Sequence, residues 1–165
     1  MRVRGLYPAD GDASNITKAL ASSPDTLAAM APFLAQVMNA TTLDLATKEV
    51  VVLRVSVANR CAYCVPTHEV VARDAGLDDA VVVALSSGEP ADARLPPRER
   101  ILARFCDQIV ADAAGVDDDL LAGMRDHFED HEIVELTVLA GAITTLNYVA
   151  SLAGLPLDPR TLTLR

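Results

Sequence analysis

Residues 43–77 read LDLATKEVVVLRVSVANRCAYCVPTHEVVARDAGL, and the way the first half of this stretch folds decides the fold class. Thr41, Thr42 and Asp44 offer a helix cap ahead of residues 45–60, but the run 50–57 (VVVLRVSV) has enough β-branched content to suit a strand equally well. Periodicity leaves this segment open. The second half is clearer, with a helix expected from about Cys61 to Ala75 and closed by Gly76.

Outward from this stretch, helical signals recur in both directions. On the N-terminal side, Ser23-Pro24-Asp25 is a helix start, because proline tolerates the first helical position and serine can cap. Leu27, Met30, Leu34, Val37 and Met38 follow at helical spacing and predict an end near Asn39. The first dozen residues, with Gly5, Pro8 and Gly11, read as an extended arm. On the C-terminal side, Asp78 and Asp79 open a short helix to about Ser86, and Gly88, Pro90, Pro96 and Pro97 mark a connection. Residues 98–114 repeat the apolar spacing through Ile101, Leu102, Phe105, Ile109 and Val110 until Gly115, and Asp117 caps a helix to about His127. A long helix over 130–153 ends at Gly154 and Pro156.

Composition agrees with an all-α chain. Of 165 residues, 51% are hydrophobic but only 4% aromatic, so Ala, Val and Leu carry the core, which suits closely packed helices. That length fits one domain, residues 1–165, able to bury a core without disulfide staples. A formal net charge of −9 opposes binding to nucleic acid or to an anionic membrane surface. Three cysteines do not make a secreted disulfide framework, and MRVRGLYPADGD lacks a signal-peptide core, so a reducing cytoplasm is expected. Residues 136–157 contain no charge and approach bilayer-spanning length, but Thr137, Thr144, Thr145, Asn147 and Ser151 favour a helix buried in protein or at a subunit contact.

Cys61 and Cys64 are the residues through which the chain can do chemistry. Thiols three positions apart can close a disulfide or bind a metal together, and a helix starting at Cys61 would stabilise a thiolate there through its free N–H groups. His68, four residues after Cys64, falls one turn along the same helix face and can act as base towards that thiol. Glu49 precedes Cys61 by twelve residues and orients the imidazole if the two helices form a hairpin.

Glu49, Cys61, Cys64 and His68 in this setting resemble the signature of the alkylhydroperoxidase D (AhpD) and carboxymuconolactone decarboxylase family, most clearly over residues 34–110. The resemblance implies an all-helical fold assembled as a homotrimer, hexamer or larger ring. It also implies a thiol-dependent peroxidase that reduces hydroperoxides with an external dithiol, such as a lipoylated protein, and needs no further cofactor. In that reading Cys64 is the attacking thiol, Cys61 resolves it into a disulfide, and His68 and Glu49 relay the proton. The family's peroxidase has a His directly before the second cysteine, where this chain has Tyr63. Lactone decarboxylation is disfavoured, because decarboxylase members generally lack the paired cysteines.

Other readings compete at the same residues. One is thiol–disulfide exchange with a partner and no peroxide. Another is a metal-binding or scaffold protein, with Cys61, Cys64, His68 and Glu49 as zinc ligands, although compact zinc sites more often use a second Cys/His pair than a distant carboxylate. Cys106 lies within an apolar pattern and reads as a core residue. His127 and His131 read as surface residues on either side of a helix break. Asn147 and Tyr148 are candidates, with Tyr63, for lining a substrate pocket.

Overall fold

The computed structural model describes residues 13–89, 94–159 and 161, so the arm expected over residues 1–12 lies outside the described residues. Within them every regular element is helical. In chain order these are α1 (Asn15–Leu20), α2 (Pro24–Met38), α3 (Leu45–Ala58), α4 (Cys64–Asp74), α5 (Asp79–Ser86) and α6 (Pro97–Asp112). A 3₁₀ turn (Ala113–Gly115), α7 (Asp118–Arg125) and α8 (Asp130–Ala153) complete the chain. The sequence foresaw the longer helices closely. It did not foresee α1, a six-residue helix with Thr17 and Leu20 turned inward.

The segment that periodicity left open is a helix, and its burial explains the ambiguity. Asp44 caps α3 by accepting a hydrogen bond from the Thr47 amide at 2.7 Å, and residues 47–56 are then buried without interruption. A helix enclosed on all sides has no polar face, so it shows no amphipathic period. It packs against α4, α5, α6 and α8, which together outweigh the poor helix propensity of its valines. Helix α8 is also long and apolar enough to span a bilayer by length and composition. In this fold it turns Ile133, Leu136, Leu139, Ile143 and Ala150 inward and packs against α3.

Polar residues on so buried a helix need partners, and each one reaches a different neighbour. The Arg54 guanidinium grips the Asp107 carboxylate of α6 in a two-pronged bond and donates to the carbonyls of Leu85 and Glu89. Ser56 Oγ accepts from Asn147 Nδ2 of α8 at 3.1 Å. Arg98 of α6 donates to Thr47 Oγ1 at 2.7 Å while its guanidinium lies 4.6 Å over the Phe128 ring.

Lys48, only 1% exposed, ties together the end of α2 and α8. Its ammonium donates to the carbonyls of Val37, at 3.0 Å, and Asn39, and pairs with Glu135 at 2.7 Å. Glu135 also accepts from Thr41. The Lys48 hydrogen bond is the largest cause holding the Glu135 carboxyl below its ordinary 4.5, followed by that of Thr41. A lowered carboxylate pKa stabilises the fold above the unfolded value, and that contribution disappears as pH falls below about 4.5 and through the folded value. Lys48→Ala strands two helix-end carbonyls and a carboxylate, so urea unfolding should show a loss of about 3–5 kcal/mol at neutral pH. The same variant should also lose the part of the acid sensitivity that comes from Glu135.

Candidate functional site

The C-terminal end of α3 sets the position of both cysteines. Arg60 adopts a left-handed conformation, with φ of 55°, and its amide donates to the Val57 carbonyl at 2.9 Å, while the Cys61 amide donates to Ser56 at 2.9 Å. This is a Schellman closure, made here with arginine where glycine is usual. It commits the Cys61 backbone to ending α3, so α4 cannot begin there. The start expected at Cys61 is therefore corrected to Cys64. The positive dipole end of α4 thus lies at Cys64, while the Cys64 amide itself is taken up by Cys61 Sγ.

Cys61 and Cys64 are joined by a disulfide, with Cα atoms 5.2 Å apart, and Cys61 Sγ accepts from the Cys64 amide at 3.1 Å. Both are buried, at 1% and 6% exposure, in a small cluster with Tyr63 and Ala150 that is separate from the main core. Ile16 of α1 and Leu155 and Leu157, beyond the end of α8, pack against this cluster. His68 sits one turn along α4 from Cys64, and its Nδ1 is 2.9 Å from Glu49 Oε2 on α3. Glu49 is buried and His68 is partly so, which keeps water from competing for that contact. The hairpin expected of α3 and α4 thus brings the carboxylate to the imidazole.

Tyr63 does not stand in for a relay histidine. Its hydroxyl donates to Asp158 Oδ2 and accepts from the Ile16 amide at 3.4 Å. Burial first, and then the bond to Asp158, push the phenol well above its ordinary range, so its proton stays on the ring at neutral pH. Asn147 is buried, and its amide is engaged by Ser56 and by Asn59 Nδ2 at 3.0 Å, so it ties α8 to α3. Tyr148 is 64% exposed and points to solvent. His127 and His131 are exposed on either side of the break before α8. No set of three or more Cys, His, Asp or Glu side chains converges as a metal site among the described residues. Asp158 joins the site without a foreshadowing motif, because its partners Asn15 and Tyr63 lie 143 and 95 residues away.

Cys106 is a fully buried free thiol on α6, and burial pushes its pKa far up. Native oxidised protein should therefore give no fast reaction with a thiol reagent. Denaturation should expose one thiol, and denaturation after reduction should expose all three cysteines of the chain. Three thiols in unreduced, denatured protein would contradict the pairing.

Comparison with known proteins finds relatives of this sequence and this fold. The carboxymuconolactone decarboxylase family model matches residues 24–93. An uncharacterised protein, YdfG, of Bacillus subtilis is 25% identical over 108 residues, covering 66% of this chain and 74% of YdfG. A protein of unknown function from Agrobacterium tumefaciens, suggested to be an AhpD antioxidant defence protein, is 28% identical with a TM-score of 0.76, covering 88% of this chain and 99% of its own. An uncharacterised peroxidase-related protein from Ralstonia eutropha, with an AhpD core, superposes at a TM-score of 0.84 and 22% identity over 94% of this chain and 82% of its own. The debrominase Bmp8 shares the fold as well, at 14% identity and a TM-score of 0.76, covering 92% of this chain and 81% of its own. Residues 24–93 thus match the carboxymuconolactone decarboxylase family model, and the helical fold is the one found in AhpD-like proteins.

Proposed function

We propose that the protein is a thiol-dependent peroxidase in which Cys64 attacks a hydroperoxide and Cys61 resolves the product. The observation that carries this reading is the Cys61–Cys64 disulfide at the start of a helix whose next turn presents His68, itself held by Glu49. In the reduced protein, His68 takes the Cys64 proton and the helix N-terminus favours the resulting thiolate. The thiolate attacks the O–O bond, so sulfur is oxidised to a sulfenic acid and the peroxide is reduced to an alcohol, with His68 returning the proton to the leaving oxygen. The Cys61 thiol then displaces hydroxide from the sulfenic sulfur, closing the disulfide and releasing water. An external dithiol restores both thiols. Glu49 fixes the imidazole orientation through its contact with Nδ1.

The reading includes a reducing, cytoplasmic setting and self-association as a trimer or larger ring. Val134, Val138, Tyr148 and Leu152, exposed along one side of α8, are the support for a contact with further copies of this chain. A debrominase shares the fold, so the support for a hydroperoxide substrate is the site and not the scaffold.

Peroxide consumption with a dithiol as electron source tests the reading. Cys64→Ser should abolish turnover, His68→Ala should slow it by about 100-fold or more, and Glu49→Gln should slow it less than His68→Ala does. Full turnover by the Cys64→Ser protein would contradict the assignment of the attacking thiol.

A further inference from the structure

The disulfide that must meet an external dithiol is almost completely enclosed, at 1% and 6% exposure of its two cysteines. Reduction requires a reductant thiolate in line with the S–S bond, so the cover over the pair must move before electrons can enter. That cover comes from the two ends of the chain. Helix α1 supplies Ile16, and the segment after α8 supplies Leu155 and Leu157. The segment leaves α8 through Gly154, which adopts a left-handed conformation with φ of 58°, and it is fastened at Asp158.

Asp158 is the point at which the two halves of this cover lock together. One carboxylate oxygen accepts from the Asn15 amide of α1 at 2.8 Å, and the other accepts from the Tyr63 hydroxyl. Asn15 Nδ2 adds a bond to the Pro156 carbonyl at 3.0 Å. Tyr63 sits between the two cysteines in sequence, so the latch closes on the redox loop itself. A six-residue helix has no stability of its own, and the cluster beneath it is separate from the main core. Opening the cover therefore leaves the packing around α3 in place.

We propose that α1 and residues 155–158 form a strap, latched by Tyr63 and Asp158, whose opening sets the rate at which the Cys61–Cys64 disulfide is reduced. The proposal rests on the reading of these cysteines as a redox pair and adds a control on its reductive half. In that half-reaction a dithiol attacks one sulfur to form a mixed disulfide, and its second thiol then displaces the protein sulfur. Two electrons pass to the protein, both cysteines leave as thiols, and the reductant leaves as its own disulfide.

The test is the rate at which dithiothreitol reduces the oxidised protein, followed by trapping the released thiols, in wild type, Asp158→Ala, Tyr63→Phe and the double variant. Asp158→Ala should accelerate reduction about tenfold or more, as expected for loss of charge-assisted hydrogen bonds. Tyr63→Phe should accelerate it by less, because Asp158 keeps Asn15. The double variant should exceed Asp158→Ala only slightly, since without that carboxylate Tyr63 keeps just its long 3.4 Å bond from the Ile16 amide. Hydrogen exchange at the Asn15 and Ile16 amides should quicken in step, with the urea midpoint of the whole protein unchanged. Wild-type reduction rates in both single variants would overturn the proposal, as would an acceleration that tracks loss of global stability. No peroxide enters this measurement, so its failure leaves the peroxidase reading standing, and failure of that reading leaves this result intact.

Discussion

The structure depends on the burial of α3 along ten consecutive residues, from Thr47 to Ser56. A helix enclosed on every side must satisfy each of its polar groups inside the protein, and this one carries Thr47, Lys48, Glu49, Arg54 and Ser56. Their partners are spread over α2, α4, α6 and α8, so meeting the hydrogen-bonding requirement of one helix fixes the relative placement of the others. Valine supplies the apolar contact between these tethers. The arrangement makes α3 a rigid post, and the Glu49–His68 pair is one of its tethers, the one to which the proposed function assigns a chemical role.

The same constraint accounts for what the sequence revealed and what it hid. Helices α2 and α6 announced themselves through proline starts and apolar spacing, because each has an exposed side that leaves a pattern, while α8 was legible from its uncharged run and its end at Gly154 and Pro156. Helix α3 gave no period because it has no exposed face, and resemblance to a helical family decided it. The start of α4 was misplaced by three residues because the Schellman closure at Arg60 uses an arginine in a left-handed conformation, which composition does not signal. Glu49, Cys61, Cys64 and His68 were legible as a spaced set, and the fold brings them into two joined pairs. Asn147 and Tyr148 are adjacent in sequence but diverge on a helix, one engaged with α3 and the other in solvent. Asp158 and the cover over the cysteines were invisible, since contacts across most of the chain length leave no local trace.

The site joins a part built on long packed helices to a part covered by a short helix and the segment after α8. Glu49 and His68 stand on packed helices, which suits groups that must hold a fixed geometry for proton transfer. The cysteines lie at a helix junction under a short helix and a tail, which suits a pair that must be sealed for one step and reached for another. Tyr63 belongs to the second part through its bond to Asp158, which explains how this chain accommodates a tyrosine where the family's peroxidase has a histidine. Its place in the loop is structural, and the proposed proton path uses His68 instead.

The central claim is that Cys61 and Cys64 are oxidised together by a hydroperoxide while Cys106 is left untouched. The most direct measurement is to add one equivalent of an alkyl hydroperoxide to the fully reduced native protein, then block free thiols and map tryptic peptides by mass. Cleavage after Arg60 and Arg73 leaves both cysteines in one peptide, residues 61–73, so a disulfide appears there as the loss of two hydrogens and of both blocking groups. The account predicts stoichiometric conversion of that peptide, with Cys106 recovered fully blocked after denaturation. Unchanged blocking of residues 61–73, or oxidation that falls instead on Cys106, would contradict it.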